Sequence, residues 1–151
     1  MASNKEDMIS KAKKALSLGS DLVELRLDYL KDSEEDFDIN AFSDKCIITN
    51  RLKLSKETLV RWVKRRPKYI DLELDFLEKE KELELGDIIP IISWHDFNGT
   101  PDTFQLLNIL KRASKYKGFI KIVTLAKNLK DNFTLLKLYR YSEKGKLIAF
   151  C

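Results

Sequence analysis

The residue type least expected in its surroundings is Lys121, which interrupts an apolar run at residues 119–123. If this run is a strand, Lys121 shares a face with Phe119 and Val123. Burial of a lysine favours its neutral amine, and a neutral amine attacks a ketone to form an imine. The alternative is a lysine that protects an edge strand by reaching into solvent. Local pattern leaves both interpretations open.

His95 is the one histidine in the chain and follows an apolar run at residues 88–93. A histidine that follows a strand is a candidate general acid and base, because imidazole gains and loses a proton near neutral pH. The alternative is a surface histidine that hydrogen-bonds to Asp96 or to a loop carbonyl.

Charged residues also follow two other predicted strands. Glu24, Arg26 and Asp28 alternate with apolar residues and so are expected on one strand face, where they would orient a polar substrate. A solvent-facing strand with a weak ion pair is the alternative. Arg51 comes directly after Thr49 and Asn50, and its guanidinium suits a substrate carboxylate; a surface arginine is again the alternative.

Other chemistry is less favoured by the residue types present. Asp71, Glu73 and Asp75 could equally line a site or cover an outer face. Cys46 and Cys151 lie far apart without metal-ligand spacing, and with a single histidine they do not form the usual zinc set. The chain has no glycine-rich phosphate loop and no serine nucleophile motif. A magnesium site built from carboxylates alone is the open alternative, although nothing in the sequence marks one. Cofactor-free chemistry on a small polar substrate, without a metal, fits the remaining residue types.

Composition indicates a soluble globular protein of one domain. The chain has 151 residues, of which 44% are apolar and 34% charged. Its charge of +4 comes from 28 basic and 24 acidic residues, too small an excess to indicate a nucleic-acid partner. No apolar run is long enough for a membrane span, and the first residues do not resemble a secretory signal. We expect a cytoplasmic protein with reduced thiols.

Six strands are predicted, and each except the last is followed by a helix. The strands are expected at residues 21–27, 45–50, 69–74, 88–93, 118–123 and 146–151. Helices are expected at residues 8–16, 33–42, 55–66, 76–85, from Thr100 onward and at 131–141. In the helix that Thr100 caps, Phe104, Leu107 and Leu110 are the expected apolar stripe.

Strands separated by helices imply parallel strands and an α/β fold. A closed (β/α) barrel needs eight strands, so six indicate either an open sheet or an incomplete barrel. The pattern shows no linker, and a single domain over 1–151 is expected.

Five segments, taken in order, resemble the type I 3-dehydroquinate dehydratases. The family's second, third and fourth strands are similar to DLVELRLD at 21–28, IITNR at 47–51 and YIDLEL at 69–74. The segments with its catalytic histidine and imine-forming lysine are similar to ISWHDF at 92–97 and FIKIV at 119–123. The resemblance implies a TIM-type (β/α) barrel of the class I aldolase kind, incomplete here, with about six of eight strands.

The resemblance also implies an activity. Enzymes of the family dehydrate 3-dehydroquinate to 3-dehydroshikimate in the shikimate pathway of aromatic amino acid biosynthesis, without a cofactor. Lys121 would form the Schiff base with the substrate ketone, and His95 would transfer protons. Glu24, Arg26 and Arg51 would bind substrate hydroxyl and carboxylate groups.

The chain departs from the family pattern at three places. The family's first strand and last βα unit have no counterpart, and Ser55 stands where an acidic residue is expected four residues beyond Arg51. The carboxylate partner of His95 is therefore not identified by the motif. We expect an enzyme that is weakly active or is completed by a partner, with a homodimer as one form, since open strand edges favour pairing. The alternatives are a non-catalytic remnant and, more remotely, an unrelated binding module.

Overall fold

The structure, a computed structural model, describes residues 4–30, 37–51, 54–80 and 83–151. The chain divides into two compact units. The first comprises Met1–Leu72 and Glu82–Ile89, and the second Glu73–Lys81 and Pro90–Cys151. The expectation of a single domain over 1–151 stays a prediction.

Six strands and five α-helices follow one another along the described residues, and they alternate except between the first two strands, where the described residues form short 3-10 turns. The strands are β1 (Val23–Arg26), β2 (Cys46–Thr49), β3 (Tyr69–Glu73), β4 (Ile89–Asp96), β5 (Phe119–Thr124) and β6 (Leu147–Phe150). The helices are α1 (Lys5–Ser17), α2 (Lys56–Lys64), α3 (Leu74–Lys79), α4 (Thr103–Ala113) and α5 (Leu129–Leu138). All six predicted strands are thereby confirmed, with small shifts at their ends. In the part of the chain that is described, no helix has the length and apolar character needed to cross a membrane.

In the first unit, β1, β2 and β3 pair in parallel in that order. One face of these strands carries the core residues and the other carries polar side chains, as alternation along β1 predicts. The buried face consists of Val23, Leu25, Cys46, Ile48, Ile70 and Leu72. Helix α1 packs on β1, and α2 adds Leu59 and Trp62 to the core.

In the second unit, β4, β5 and β6 pair in parallel, so β5 has a neighbour on each side. Helices α4 and α5 pack against each other and against the sheet. Their buried residues are Leu106, Ile109, Leu110, Ala113, Leu135 and Leu138. Burial of an aliphatic side chain contributes about 1.5–3 kcal/mol, so these residues hold the helices on one sheet face.

Three helix predictions need correction. An acidic helix was expected at 33–42. Residues 33–36 lie outside the described residues, and residues 37–42 do not form an α-helix. Short 3-10 turns over Asn40–Lys45 are found instead. The charged helix expected at 76–85 is the shorter α3, which ends at Lys79 because the chain becomes extended at Glu80.

The third correction concerns the start of α4. Asp102, not Thr100, caps this helix through a reciprocal pair of hydrogen bonds with Gln105. The hydroxyl of Thr100 lies 2.8 Å from that of Thr124 instead. The expected apolar stripe is also corrected in part: Phe104, which was expected in the core, is 80% exposed, whereas Leu110 is buried.

We expect Gly118→Ala to destabilise the second unit more than other glycine replacements do. Gly118 has φ +143°, and a Cβ there would overlap the carbonyl oxygen of Pro90, which belongs to the backbone of β4. Strain and overlap together should cost about 2–4 kcal/mol.

Urea unfolding of the two glycine variants measures this cost. Gly86→Ala is the control, since Gly86 has φ +58° but no atom within 4 Å of an added Cβ. That replacement should cost about 1–2 kcal/mol. Equal losses in the two variants would contradict the packing explanation.

Candidate active site

Lys121 lies in the middle strand of the second unit. Strand β5 places it beside Ser93 of β4 on one side and Ile148 of β6 on the other. The edge-strand interpretation of Lys121 is therefore wrong, because β5 has no open edge along this pairing.

The face on which Lys121 lies follows from the alternation of burial along β5. Ile120, Ile122 and Thr124 are buried, whereas Phe119, Lys121 and Val123 are partly exposed. The buried set lies on the side that α4 covers. Lys121 therefore lies on the opposite face of the sheet, away from the helices.

His95 lies on the same sheet face as Lys121. Strand β4 continues to Asp96, further than the sequence predicts, and places His95 opposite Val123. Val123 and Lys121 are two residues apart on one face, so His95 is the diagonal neighbour of Lys121. Strand geometry puts their Cα atoms about 8 Å apart, a distance that two long side chains can close around a small substrate.

The surface interpretation of His95 is not supported. Its side chain is 5% exposed. Asp96 accepts a hydrogen bond from the backbone N–H of Asn98 at 2.8 Å, and the ring of Phe97 stacks on the imidazole at 5.7 Å between centroids. Among the described residues, neither ring nitrogen of His95 has a hydrogen-bond partner. A buried imidazole in this state is suited to accept a proton from a bound molecule.

Glu73 is the site residue that the sequence left undecided. Its Oε1 lies 2.7 Å from Nδ1 of His95, close enough for an ion pair with a protonated ring. The oxygen does not lie in the direction required for a hydrogen bond, which is why Nδ1 has no such bond despite the short distance. Sequence alone offered Glu73 as one of several acidic residues, with no signal that joined it to His95.

In the first unit, Glu24 and Thr49 are joined by a hydrogen bond. Thr49 Oγ1 donates to Glu24 Oε1 at 2.7 Å, from β2 to β1. Thr49 is fully buried, whereas Glu24 is exposed on the strand face opposite the core. The bond holds the carboxylate in place and leaves its other oxygen able to accept from a ligand hydroxyl.

Arg26 is held by Asp28 rather than by Glu24. Its Nε and second terminal nitrogen donate to the two Asp28 oxygens at 2.9 and 2.6 Å. Its guanidinium also lies 4.4 Å from the centre of the Tyr29 ring. Asp28 belongs to a short 3-10 turn, Leu27–Tyr29, so the expectation that it continues the strand face was wrong. The turn, and not the strand pleat, brings Asp28 to Arg26.

The pairing of Arg26 with Asp28 shifts the pKa of both groups. The hydrogen bond to Asp28 raises the pKa of Arg26. Burial by itself would raise the pKa of Asp28, but the hydrogen bond and charge of Arg26 outweigh burial and lower it below the ordinary 3.8. Arg26 is thus a fixed cation.

We expect Asp28→Asn to lose about 1–2 kcal/mol of stability at neutral pH, since Arg26 is partly solvated. A carboxyl whose pKa is lowered on folding stabilises the protein above its unfolded pKa, and this contribution disappears as pH falls through the folded value. The difference between wild type and variant should therefore shrink below pH 3.8. Thermal unfolding between pH 7 and about 2.5 measures it.

Asp75→Asn is the control, because its carboxylate is 70% exposed and 3.3 Å from Arg112. For that variant we expect only a small change in stability, and one that is nearly independent of pH. If the stability difference between wild type and Asp28→Asn stayed constant down to the lowest pH, the ion pair with Arg26 could not be its source.

Arg51 follows β2 at a bend, and its Nε is buried without a hydrogen-bond partner among the described residues. Its charge contributes to lowering the pKa of Asp28. A buried guanidinium nitrogen with unused hydrogen-bonding capacity is suited to receive an anionic ligand group.

The cysteines take no part in these clusters. Cys46 is buried, and burial raises the pKa of its thiol to about 12, so it is a neutral core residue; Cys151 is half-buried, and both are free. Within the described ranges, no group of three or more His, Cys, Asp or Glu residues is arranged to hold a metal ion.

Each unit therefore contains one polar cluster. The first has Glu24, Arg26 and Arg51, which suit hydroxyl and carboxylate groups; the second has Lys121 and His95 on one sheet face. The fold class is α/β, of the incomplete (β/α)-barrel type with six parallel strands. A lysine and a histidine on one sheet face are typical of sites for imine and proton-transfer chemistry.

Comparison with known proteins gives the same class and identifies the family. A family model described as type I 3-dehydroquinase matches residues 1–151, and the chain belongs to this family. The 3-dehydroquinate dehydratase of Pyrococcus abyssi is 34% identical over 161 residues, which cover 96% of this chain and 74% of that protein. The enzyme of the same name from Methanococcus maripaludis is 36% identical, with 95% and 72% covered.

Solved structures have the same fold. The 3-dehydroquinate dehydratase of Aquifex aeolicus superposes with a TM-score of 0.71 and 25% identity, covering 97% of this chain and 75% of that one. The structure from Geobacillus kaustophilus has a TM-score of 0.76 at 16% identity, covering 99% and 70%. The predicted fold class is confirmed.

Proposed function

We propose that this chain dehydrates 3-dehydroquinate to 3-dehydroshikimate through an imine on Lys121. The observation that carries the proposal is the placement of Lys121 in the middle strand of its unit, diagonal to His95 on one sheet face. Membership of the type I 3-dehydroquinase family and relatives named 3-dehydroquinate dehydratase support the same substrate. The reaction would belong to the shikimate pathway, in the cytoplasm.

Lys121 has the first role. Its neutral amine adds to the substrate ketone, and loss of water from the adduct gives the protonated imine. The positive nitrogen then withdraws electrons from the neighbouring carbon, whose C–H bond becomes acidic enough to break. Phe119, Val123 and Ile148 lie beside Lys121 on the same sheet face.

His95 has the second role. It removes the proton from the carbon next to the imine and then protonates the hydroxyl that leaves as water. The imine is finally hydrolysed, which frees the product and the lysine amine. An imidazole with a buried and unpartnered Nε2 meets the requirement for a base, since no described protein group competes for its lone pair.

Substrate binding is assigned to Glu24, Arg26 and Arg51. The second oxygen of Glu24 suits a substrate hydroxyl, while Arg51 suits the substrate carboxylate. Arg26 supplies a cation that Asp28 holds in a fixed orientation.

A second candidate is a family member that binds substrate or forms the imine with little turnover. The chain spans 74% of the length of the Pyrococcus abyssi enzyme. The two candidates share Lys121 and differ in whether product appears.

Reductive trapping tests the proposal. The folded protein is mixed with 3-dehydroquinate, reduced with borohydride, and its intact and digested masses are measured. The proposal requires a secondary amine on Lys121 and, without reductant, formation of the conjugated product. An adduct without product selects the second candidate. A folded chain that gives neither adduct nor product would exclude the imine mechanism.

A further inference from the structure

The carboxylate nearest to the candidate base belongs to Glu73, whose Oε1 is 2.7 Å from Nδ1 of His95. We propose that Glu73 is a positioning residue that keeps the proton of the neutral imidazole on Nδ1. Nε2 is then the nitrogen that accepts the substrate proton. The inference rests on the proposed function, in which His95 is the base.

The position of Glu73 explains why its carboxylate is available. It is the last residue of β3 and the N-cap residue of α3, yet its side chain makes no capping hydrogen bond. In the other four described α-helices the N-cap side chain accepts from the helix backbone, through Asn4, Ser55, Asp102 and Asn128. Glu73 differs from these four because its carboxylate is directed to His95 instead.

The chemistry of the two groups decides the proton position. A carboxylate can only accept a hydrogen bond, so the ring nitrogen that faces it is favoured when it carries the proton. The other nitrogen of a neutral imidazole is then an acceptor, and here Nε2 is buried without a described partner. Once His95 has taken the substrate proton, the same carboxylate stabilises the imidazolium.

The contact is close but not aligned as a hydrogen bond. Catalytic hydrogen bonds are often poorly aligned before substrate binds and tighten in the complex. The side chain of His95 is 5% exposed and that of Glu73 is 31% exposed, so a buried ring contacts a partly solvated carboxylate.

The chain also lacks the alternative that the family resemblance suggests. Ser55 stands where an acidic residue was expected, and its hydroxyl accepts from the backbone N–H of Thr58 at 3.2 Å as the cap of α2. The carboxylate that lies near His95 belongs to β3 instead.

Nitrogen NMR of the imidazole tests the proposal directly, because His95 is the one histidine of the chain. With ¹⁵N-labelled histidine, the spectrum of the neutral ring shows which nitrogen carries the proton. Wild type should be mainly Nδ1-protonated. Glu73→Ala should lower the ratio of Nδ1- to Nε2-protonated ring about tenfold or more.

Two further variants separate positioning from general disruption. Glu73→Gln keeps an acceptor oxygen and is expected to retain the Nδ1 proton. Asp75→Ala removes a carboxylate that is 70% exposed on α3, and should leave the ratio unchanged. An unchanged ratio in Glu73→Ala, or an equal loss in the Ala and Gln variants, would overturn the positioning role.

A kinetic readout links the proton position to function. Exchange of the substrate proton with D₂O should slow about 10–100-fold in Glu73→Ala, while borohydride trapping on Lys121 is unchanged. An altered NMR ratio with unchanged exchange would show that Glu73 does not act on the reaction. The absence of a borohydride adduct in wild type would refute the proposed function. The NMR ratio would still test whether Glu73 keeps the proton of His95 on Nδ1.

Discussion

Lys121→Met should abolish borohydride trapping of 3-dehydroquinate and lower dehydration by at least about 10⁴-fold. Methionine keeps the length and apolar character of the side chain, so the pairing of β5 with β4 and β6 should persist. Because the amine is lost, neither the imine nor its electron-withdrawing nitrogen can form. Intact mass after reduction measures the adduct, and absorbance of the conjugated product measures dehydration.

Lys146→Met is the matched control, since the Lys146 amine lies 4.9 Å from the centre of the Phe119 ring, close to the same strand. This variant should keep both trapping and dehydration within a few-fold of wild type. Trapping that persists in Lys121→Met, with the adduct on another lysine, would remove Lys121 from the mechanism.

His95→Gln should slow exchange of the substrate proton with D₂O by about 10²–10⁴-fold. Glutamine is polar and close in length to histidine but cannot carry a proton at neutral pH. Adduct formation on Lys121 should continue, because imine formation uses the amine and not the proton-transfer step. The distinguishing result is therefore an adduct that forms and is trapped but neither exchanges its proton nor yields product.

Asp96→Asn is the control for this variant. Asp96 adjoins His95 in β4, points to the opposite face by strand alternation, and bonds to Asn98. Exchange in Asp96→Asn should stay near that of wild type. If His95→Gln exchanged the proton at the normal rate, another group would have to be the base.

Much of the fold could be predicted because its signals are local. The period-two pattern around Leu25 and Ile122 identified strands and the residues that share a strand face. Helix ends were less certain, since several polar residues compete for one cap. Thr100 was the predicted cap of α4, but Asp102 caps the helix, and the Thr100 hydroxyl contacts that of Thr124, a residue 24 positions away.

The candidate site was predictable in its residue types and less so in its contacts. Arg26 was expected to share a face with Glu24 and Asp28, but Glu24 accepts a hydrogen bond from Thr49, and Arg26 donates to Asp28, which lies in a 3-10 turn. Glu73 had no distinguishing signal among neighbouring carboxylates. Side-chain pairing depends on which strands lie together and in which register, and neither is encoded within one short segment.

The six strands, the α/β class and the face that Lys121 shares with Phe119 and Val123 followed from local sequence alone. Each of these depends on residues within a few positions of one another. Tertiary structure decided that β5 is a middle strand, that Lys121 is diagonal to His95, and that Glu73 reaches Nδ1. These features depend on parallel pairing between segments about 20 or more residues apart. The register of that pairing is fixed when the intervening helices pack on one face of the sheet.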